Sequence, residues 1–93
     1  MYIEVLKEFG VTQTPELTLK ILTYEVGKLN QIDVYKERFG RAGYIGDERN
    51  EMQDVVTMIS LLMEQRGYNV EEEIQLGLSK LRDRIKEVSK VKT

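Results

Sequence analysis

The sequence predicts an all-α protein, a single domain built as a bundle of about four helices. Three observations predict this class. Apolar residues recur at steps of three and four along most of the chain, helix-start signals precede these stretches, and glycines separate them. The chain has 93 residues and no linker long enough to divide it, so residues 1–93 are expected to share one modest core.

The first two helices are bounded by glycine and proline signals. A short helix or arm is expected in residues 1–13, with its helical part ending before Gly10. Thr14 is expected to cap the second helix, with Pro15 at its first helical position. Lys28 interrupts the apolar pattern of this helix. The predicted core stripe is Leu17, Ile21, Tyr24, Ile32, Tyr35 and Phe39.

A glycine-rich loop over residues 40–47 is expected to precede the third helix, with Asp47 as its cap and Gly67 at its end. Asn69 and Glu72 form a predicted capping box for the fourth helix. Residues 89–93 are expected to fray. The predicted core stripes are Met52, Val55, Val56, Ile59, Leu62 and Met63 on the third helix, and Val70, Ile74, Leu78, Leu81, Ile85 and Val88 on the fourth.

The second and third helices carry more apolar residues than one core face requires. A small helical protein with apolar residues on two faces is expected to bury the second face against another copy. We therefore expect a homodimer or a homotetramer. The residues of this second face are Leu19, Leu22, Val26 and Leu29 on the second helix, and Met58 and Leu61 on the third.

Composition excludes several kinds of chemistry and partner. The chain has no Cys and no His, so a disulfide framework, a thiol nucleophile and an imidazole base are excluded. Any metal would be bound by oxygen atoms, which favours Mg²⁺, Mn²⁺ or Ca²⁺. The net charge of −2 disfavours nucleic acid as a partner. No apolar run is long enough to cross a membrane, and a cytoplasmic location is expected.

Carboxylates recur at three-residue steps at the start of the third helix, at Glu48, Glu51 and Asp54. Neighbouring anions beside a core stripe require a positive partner, either a metal ion or a side chain. Glu25 holds a similar edge position on the second helix. Counting from the loop leaves an axial offset of about 10–15 Å between Glu25 and the Glu51–Asp54 pair, and a bend near Asp33 would shrink it.

Four segments together resemble the MazG-like, all-α nucleoside triphosphate pyrophosphohydrolases. They are YEVGKL (24–29), EMQDVV (51–56), RGYNVEE (66–72) and LSKLRDR (78–84), and the likeness covers roughly Leu17 to Arg84. The resemblance implies a MazG-like helical bundle. It also implies Mg²⁺-dependent cleavage of nucleoside triphosphates between the α and β phosphates, which yields a nucleoside monophosphate and pyrophosphate.

In that family one helix carries Glu-x-x-Glu and the next carries Glu-x-x-Asp, and the four carboxylates hold Mg²⁺. By position, Glu25 matches the first ligand, Glu51 the third and Asp54 the fourth, and these three are the expected catalytic centre. The second ligand position holds Lys28, whose ammonium cannot coordinate a metal. Glu48, one turn before Glu51, is a possible substitute ligand for Mg²⁺ or Mn²⁺.

Two functions stay open from the sequence. In the first, the chain is a hydrolase, with Tyr24, Lys28, Arg82 and Arg84 as weaker candidates for binding the nucleotide substrate. In the second, Lys28 takes the place of the metal, and the chain is a catalytically inactive MazG-like relative with a structural or binding role. The position of the Lys28 ammonium relative to the carboxylates distinguishes them.

Overall fold

The computed structural model describes the backbone of residues 1–40 and 48–91. In these residues the chain forms four helices and no strand: α1 (Tyr2–Glu8), α2 (Pro15–Phe39), α3 (Glu48–Gln65) and α4 (Val70–Val91). The all-α prediction is confirmed. The predicted cap Asp47 and most of the predicted loop lie outside the described residues.

Local capping signals set the helix ends. The Thr14 hydroxyl accepts a hydrogen bond from the Leu17 backbone N–H at 3.1 Å, and Pro15 occupies the first helical position. The Asn69 side chain caps α4 in the same way, with the Glu72 N–H donating at 3.0 Å. The predicted Thr14 cap is therefore confirmed, and of the predicted capping box the Asn69 half is observed. Helix α4 extends to Val91, so residues 89–91 of the tail expected to fray are helical in the structure.

Helices α2 and α3 pack antiparallel. At one end the Gln65 side chain donates to the Gln13 carbonyl at 2.8 Å, and at the other Lys28 lies beside Glu51. This register places the start of α3 level with about residue 31 of α2, so α2 continues for about eight residues, or about 12 Å, beyond α3. Because α2 extends past the start of α3, the axial offset predicted from the sequence does not separate Glu25 from the Glu51–Asp54 pair. Helix α2 does not end near Asp33.

The core face of α3 differs from the predicted one. Leu61, expected on an outer face, is 2 % exposed, whereas Val56, expected in the core stripe, is 58 % exposed. Met52 is also exposed. The buried positions of α3 include two polar residues, Glu51 and Ser60, which an apolar pattern passes over. The other four residues of the predicted stripe are half-buried, namely Val55, Ile59, Leu62 and Met63.

The buried face of α2 also differs from the predicted core stripe. Ile32 and Thr18 are fully buried, while Leu17, Tyr24 and Phe39 of the predicted stripe are exposed. Ile21, Lys28 and Tyr35 are half-buried, as expected for the seam. The expected second face is packed within the chain only in part. Leu61 is buried, and Leu22, Leu29 and Met58 are half-buried, whereas Leu19 and Val26 are exposed. The homodimer or homotetramer expected from this face stays a prediction.

Helices α1 and α4 are attached to this pair through α3. The Glu64 carboxylate accepts hydrogen bonds from the backbone N–H groups of Tyr2 at 2.9 Å and Ile3 at 3.0 Å, and so fixes the start of α1. No Cα atom of α4 comes within 8 Å of α1 or α2 in the described chain. Val70 is half-buried, but the rest of the predicted α4 core stripe is exposed, because no helix covers it. None of the described helices has the length and apolarity needed to cross a membrane.

Candidate functional site

Four charged side chains meet between α2 and α3. Glu25 and Lys28 lie one turn apart on α2, and Glu51 and Asp54 lie one turn apart on α3. The antiparallel register brings the two pairs level with each other. We call these four residues the charged layer. It is held between Ile32 on one side and Met58 and Leu61 on the other.

The three carboxylates of the charged layer converge. Each of Glu25, Glu51 and Asp54 offers one oxygen atom, and these atoms all lie within 4.8 Å of one another. Glu51 is 5 % exposed, and the other two are half-buried. The convergence of acidic groups from two helices is the arrangement that an oxygen-ligated cation requires. The predicted set of three is therefore brought together within one chain.

The Lys28 ammonium faces two of these carboxylates. Its Nζ lies 3.4 Å from Oε2 of Glu51 and 3.6 Å from Oε2 of Glu25. Burial by itself would lower the pKa of Lys28. The adjacent Glu51 carboxylate and the charge of Glu25 outweigh that effect and raise the pKa above the ordinary value of 10.5. Lys28 therefore carries a positive charge at neutral pH.

Lys28 alone does not balance the charge of the three carboxylates in the charged layer. Oε2 of Glu25 and Oε2 of Glu51 are buried, and the Lys28 ammonium meets them at 3.6 Å and 3.4 Å, distances longer than those of a strong charge-assisted hydrogen bond. Unsatisfied buried polar atoms are costly. Three carboxylates against one ammonium also leave a formal excess of two negative charges. This excess equals the charge of one divalent cation.

Lys28 has room to leave the carboxylates. Its side chain is 31 % exposed, and its Nζ lies 5.2 Å from the centre of the Tyr24 ring one turn earlier on α2. Tyr24 itself is exposed. The ammonium is therefore bordered by carboxylates on one side and by an open aromatic face on the other. A lysine stem can carry the charge between such positions by rotamer changes.

The remaining predicted site residues do not join the charged layer. Glu48, the suggested substitute ligand, is exposed at the first position of α3 and is not among the converging oxygens. Arg82 and Arg84 are exposed on α4, whose backbone stays away from α2. The structure of one chain does not bring these arginines to the carboxylates.

Two polar contacts that position the site were missed by the sequence reading. Glu64 fixes α1 through its carboxylate, and Gln65 reaches the Gln13 carbonyl across 52 residues. Gln13 also donates to the Thr18 hydroxyl at 2.8 Å, at the far end of the seam. Long-range contacts of this kind leave no local pattern in a sequence. The Tyr24–Lys28 contact, with its four-residue spacing, was detectable.

No protein-family model matches the chain, and neither a curated protein nor a solved structure matches it.

Proposed function

We propose that the chain is a divalent-metal-dependent nucleoside triphosphate pyrophosphohydrolase of the MazG-like class. It would cleave between the α and β phosphates and release pyrophosphate. The observation that carries the proposal is the convergence of Glu25, Glu51 and Asp54, two of whose buried carboxylate oxygens are met by the Lys28 ammonium at 3.6 Å and 3.4 Å and by no hydrogen-bond donor at closer range. Buried acceptors of this kind, with two negative charges in excess, fit Mg²⁺ or Mn²⁺.

Glu25, Glu51 and Asp54 are the residues that would hold the metal. Bound there, the ion would neutralise phosphate charge and lower the pKa of a coordinated water. Glu48 is too exposed at the start of α3 to complete the set without a change of side-chain position. One of the three carboxylates would accept the proton of the attacking water.

Lys28 has a defined part in this proposal. A cation between Glu25 and Glu51 would displace the ammonium toward solvent, where the lysine side chain is already partly exposed. From there the ammonium would meet the negatively charged phosphates of a nucleotide. Tyr24, exposed and adjacent, would offer its ring to the base. Both residues would thus bind substrate without coordinating metal.

A second function is favoured by one specific observation. The Lys28 ammonium lies 3.4 Å from Glu51 and 3.6 Å from Glu25, which is the position expected from the sequence if Lys28 takes the place of the metal. If it stays there, the chain is a catalytically inactive member of the same class with a structural or binding role. Its charged layer would then hold α2 and α3 together.

Metal binding and catalysis should be measured in parallel on four proteins. Titration calorimetry with Mn²⁺ and pyrophosphate release from a panel of nucleotides would be applied to the wild type, Glu51→Gln, Lys28→Gln and Glu37→Gln. Glu37 is an exposed glutamate on the same helix as Glu25, so Glu37→Gln is the matched control. The hydrolase proposal expects Mn²⁺ binding and turnover in the wild type and the control, and neither in Glu51→Gln.

The outcomes separate the two functions. Wild type that binds no Mn²⁺ and turns over no nucleotide, beside Lys28→Gln that binds Mn²⁺, would support the second function and overturn the first. A Lys28→Glu variant that gained turnover would then identify this one residue as the cause of inactivity. Absence of Mn²⁺ binding in every variant would contradict the assignment of a metal site altogether.

A further inference from the structure

A cavity of about 660 Å³ opens where the starts of α1 and α4 meet the end of α3. Its volume lies within the range of roughly 300–1,000 Å³ that is usual for small-molecule sites. The cavity shares no residue with the charged layer. Among the side chains that line it are two aromatic, two apolar and two acidic ones, namely Tyr2, Tyr68, Val70, Ile74, Glu64 and Glu71.

The two aromatic residues of the cavity are positioned by α3. The Glu64 carboxylate accepts a hydrogen bond from the backbone N–H of Tyr2 at 2.9 Å, and the backbone N–H of Tyr68 donates to the Met63 carbonyl at 2.9 Å. Tyr2 is half-buried, and Tyr68 is 58 % exposed. Both tyrosines are therefore attached to the same helix before a ligand binds. Such preorganisation reduces the entropy that binding costs.

The charge around the cavity favours a cation. The Glu64 carboxylate is engaged by α1, including the Met1 amine at 3.3 Å, whereas Glu71 is exposed. The N-terminus of a helix carries about half a positive charge, but the first turn of α4 holds Glu71, Glu72 and Glu73 and so has an excess of negative charge. No lysine or arginine side chain is among the described residues that line the cavity. A positively charged ligand would therefore be attracted to it.

The cavity offers few acceptors for a ligand that donates hydrogen bonds. Asn69 also lines it, but the Asn69 side-chain oxygen already accepts the Glu72 N–H at 3.0 Å. A primary ammonium is strongly hydrated and would lose water here without full replacement. A cation whose charge is surrounded by methyl groups loses less, and aromatic faces attract it.

We propose that this cavity binds a small organic cation of the quaternary-ammonium class. The two tyrosine rings and the Glu71 carboxylate would surround the charge, and Val70 and Ile74 would contact the apolar groups of the ligand. No residue of the charged layer takes part. The proposal therefore holds whether or not the chain binds metal or hydrolyses nucleotides.

Binding of choline to the isotope-labelled chain, followed by its backbone amide chemical shifts, tests the proposal. We expect saturable shifts at Tyr2, Tyr68 and Val70, with a dissociation constant in the millimolar range, as for a cation between two partly exposed rings. Sodium chloride would replace choline chloride along the titration, so that the ionic strength stays constant.

The uncharged carbon isostere of choline, in which a tert-butyl group replaces the trimethylammonium group, is the matched ligand. It has the same shape, but it has neither the attraction to the aromatic faces nor that to the Glu71 carboxylate. Its affinity should therefore be at least about fivefold lower than that of choline.

Two substitutions, each with a matched control, test the residues. Tyr68→Leu should weaken choline binding about two- to fivefold, because it removes one ring and keeps an apolar side chain. Its control is Tyr24→Leu, since Tyr24 is 63 % exposed but lies on α2 beside the charged layer. Glu71→Gln should weaken binding at least about twofold. Its control is Glu72→Gln, because Glu72 lies in the same turn but does not line the cavity. Both controls should keep the affinity of the wild type.

Circular dichroism would establish that each variant keeps its helices, which is expected because the four replaced side chains are exposed. Equal affinities for choline and its isostere, or no saturable shift at about 50 mM choline, where a millimolar site would be filled, would overturn the proposal. A loss of binding in Tyr24→Leu without one in Tyr68→Leu would locate the cation at the charged layer and would overturn it as well.

Discussion

Replacing Leu61 by alanine tests the packing on which the candidate site depends. Leu61 is 2 % exposed and lies level with the fully buried Thr18 of α2. Truncating a buried leucine removes its transfer free energy and leaves a cavity, which together cost about 3 kcal/mol within a usual range of 2–5 kcal/mol. For a domain of this size the loss corresponds to a Tm lower by about 12–24 °C.

Urea unfolding followed by helical circular dichroism measures this effect directly. With a slope of about 1.5 kcal/mol per molar urea, a loss of about 3 kcal/mol lowers the midpoint by about 2 M. The slope itself should not change, because the substitution leaves the area exposed on unfolding nearly the same. Measurements belong at low protein concentration, so that association does not contribute to the apparent stability.

Val56→Ala is the matched control, since the apolar pattern and the structure disagree about it. Val56 belongs to the stripe predicted from the sequence but is 58 % exposed, so its truncation should cost at most about 0.5 kcal/mol. If Val56→Ala proved as costly as Leu61→Ala, helix α3 would present a different face to α2. Glu51 and Asp54 would then turn away from Glu25, and the reasoning about the charged layer would fail.

Three further predictions concern single side chains. Thr14→Ala removes the α2 cap and should cost about 1 kcal/mol in the same urea assay, and an unchanged midpoint would contradict the capping role. Hydrogen bonds from the backbone N–H groups of Ile3 and, to a lesser extent, Tyr2 lower the pKa of the Glu64 carboxyl below 4.5. The docking of α1 should therefore be intact above pH 4.5 and should be lost as pH falls through the pKa of Glu64 in the folded state. Hydrogen exchange of residues 2–8 measures how far the docking of α1 is lost in acid. In Glu64→Gln, which lacks the titrating carboxyl, this loss in acid should disappear. Wild-type protection that persists in acid would refute the prediction. The ion pairs that raise the pKa of Lys28 stabilise the fold at every pH below 10.5, and this stabilisation is lost as pH rises through the pKa of Lys28 in the folded state. The free energy of unfolding should therefore fall less steeply at alkaline pH in Lys28→Gln than in the wild type. If the ion pairs contribute nothing, the two proteins would show the same dependence.

Helix boundaries were predictable because their signals are local. Thr14 before Pro15, and Asn69 three residues before Glu72, satisfy backbone groups within one turn of themselves. A sequence therefore shows such caps without knowledge of the tertiary fold. The convergence of Glu25, Glu51 and Asp54 was anticipated through resemblance, and simple counting from the loop argued against it. The counting assumed that α2 ends level with the start of α3.

The rotation of each helix was not predictable in the same way. Thr18 and Glu51 are polar and would be expected at the surface, yet both are buried because the opposite helix supplies their surroundings. Leu61 is apolar but was assigned to an outer face, because another stripe of α3 carries more apolar residues. Which stripe becomes the seam is decided by the facing helix, and the residues that meet are separated in sequence by 23 positions at Lys28 and Glu51 and by 52 at Gln13 and Gln65.

The charged layer also constrains how α2 and α3 can align. Displacing α3 by one turn along α2 would carry the Glu51 carboxylate away from the Lys28 ammonium, toward Ile32 in one direction and toward Tyr24 and Glu25 in the other. An unpaired buried charge penalises every such displaced alignment, whereas an all-leucine seam would tolerate several of them. Ionic groups inside a helical hairpin can thus select a single alignment at the expense of stability.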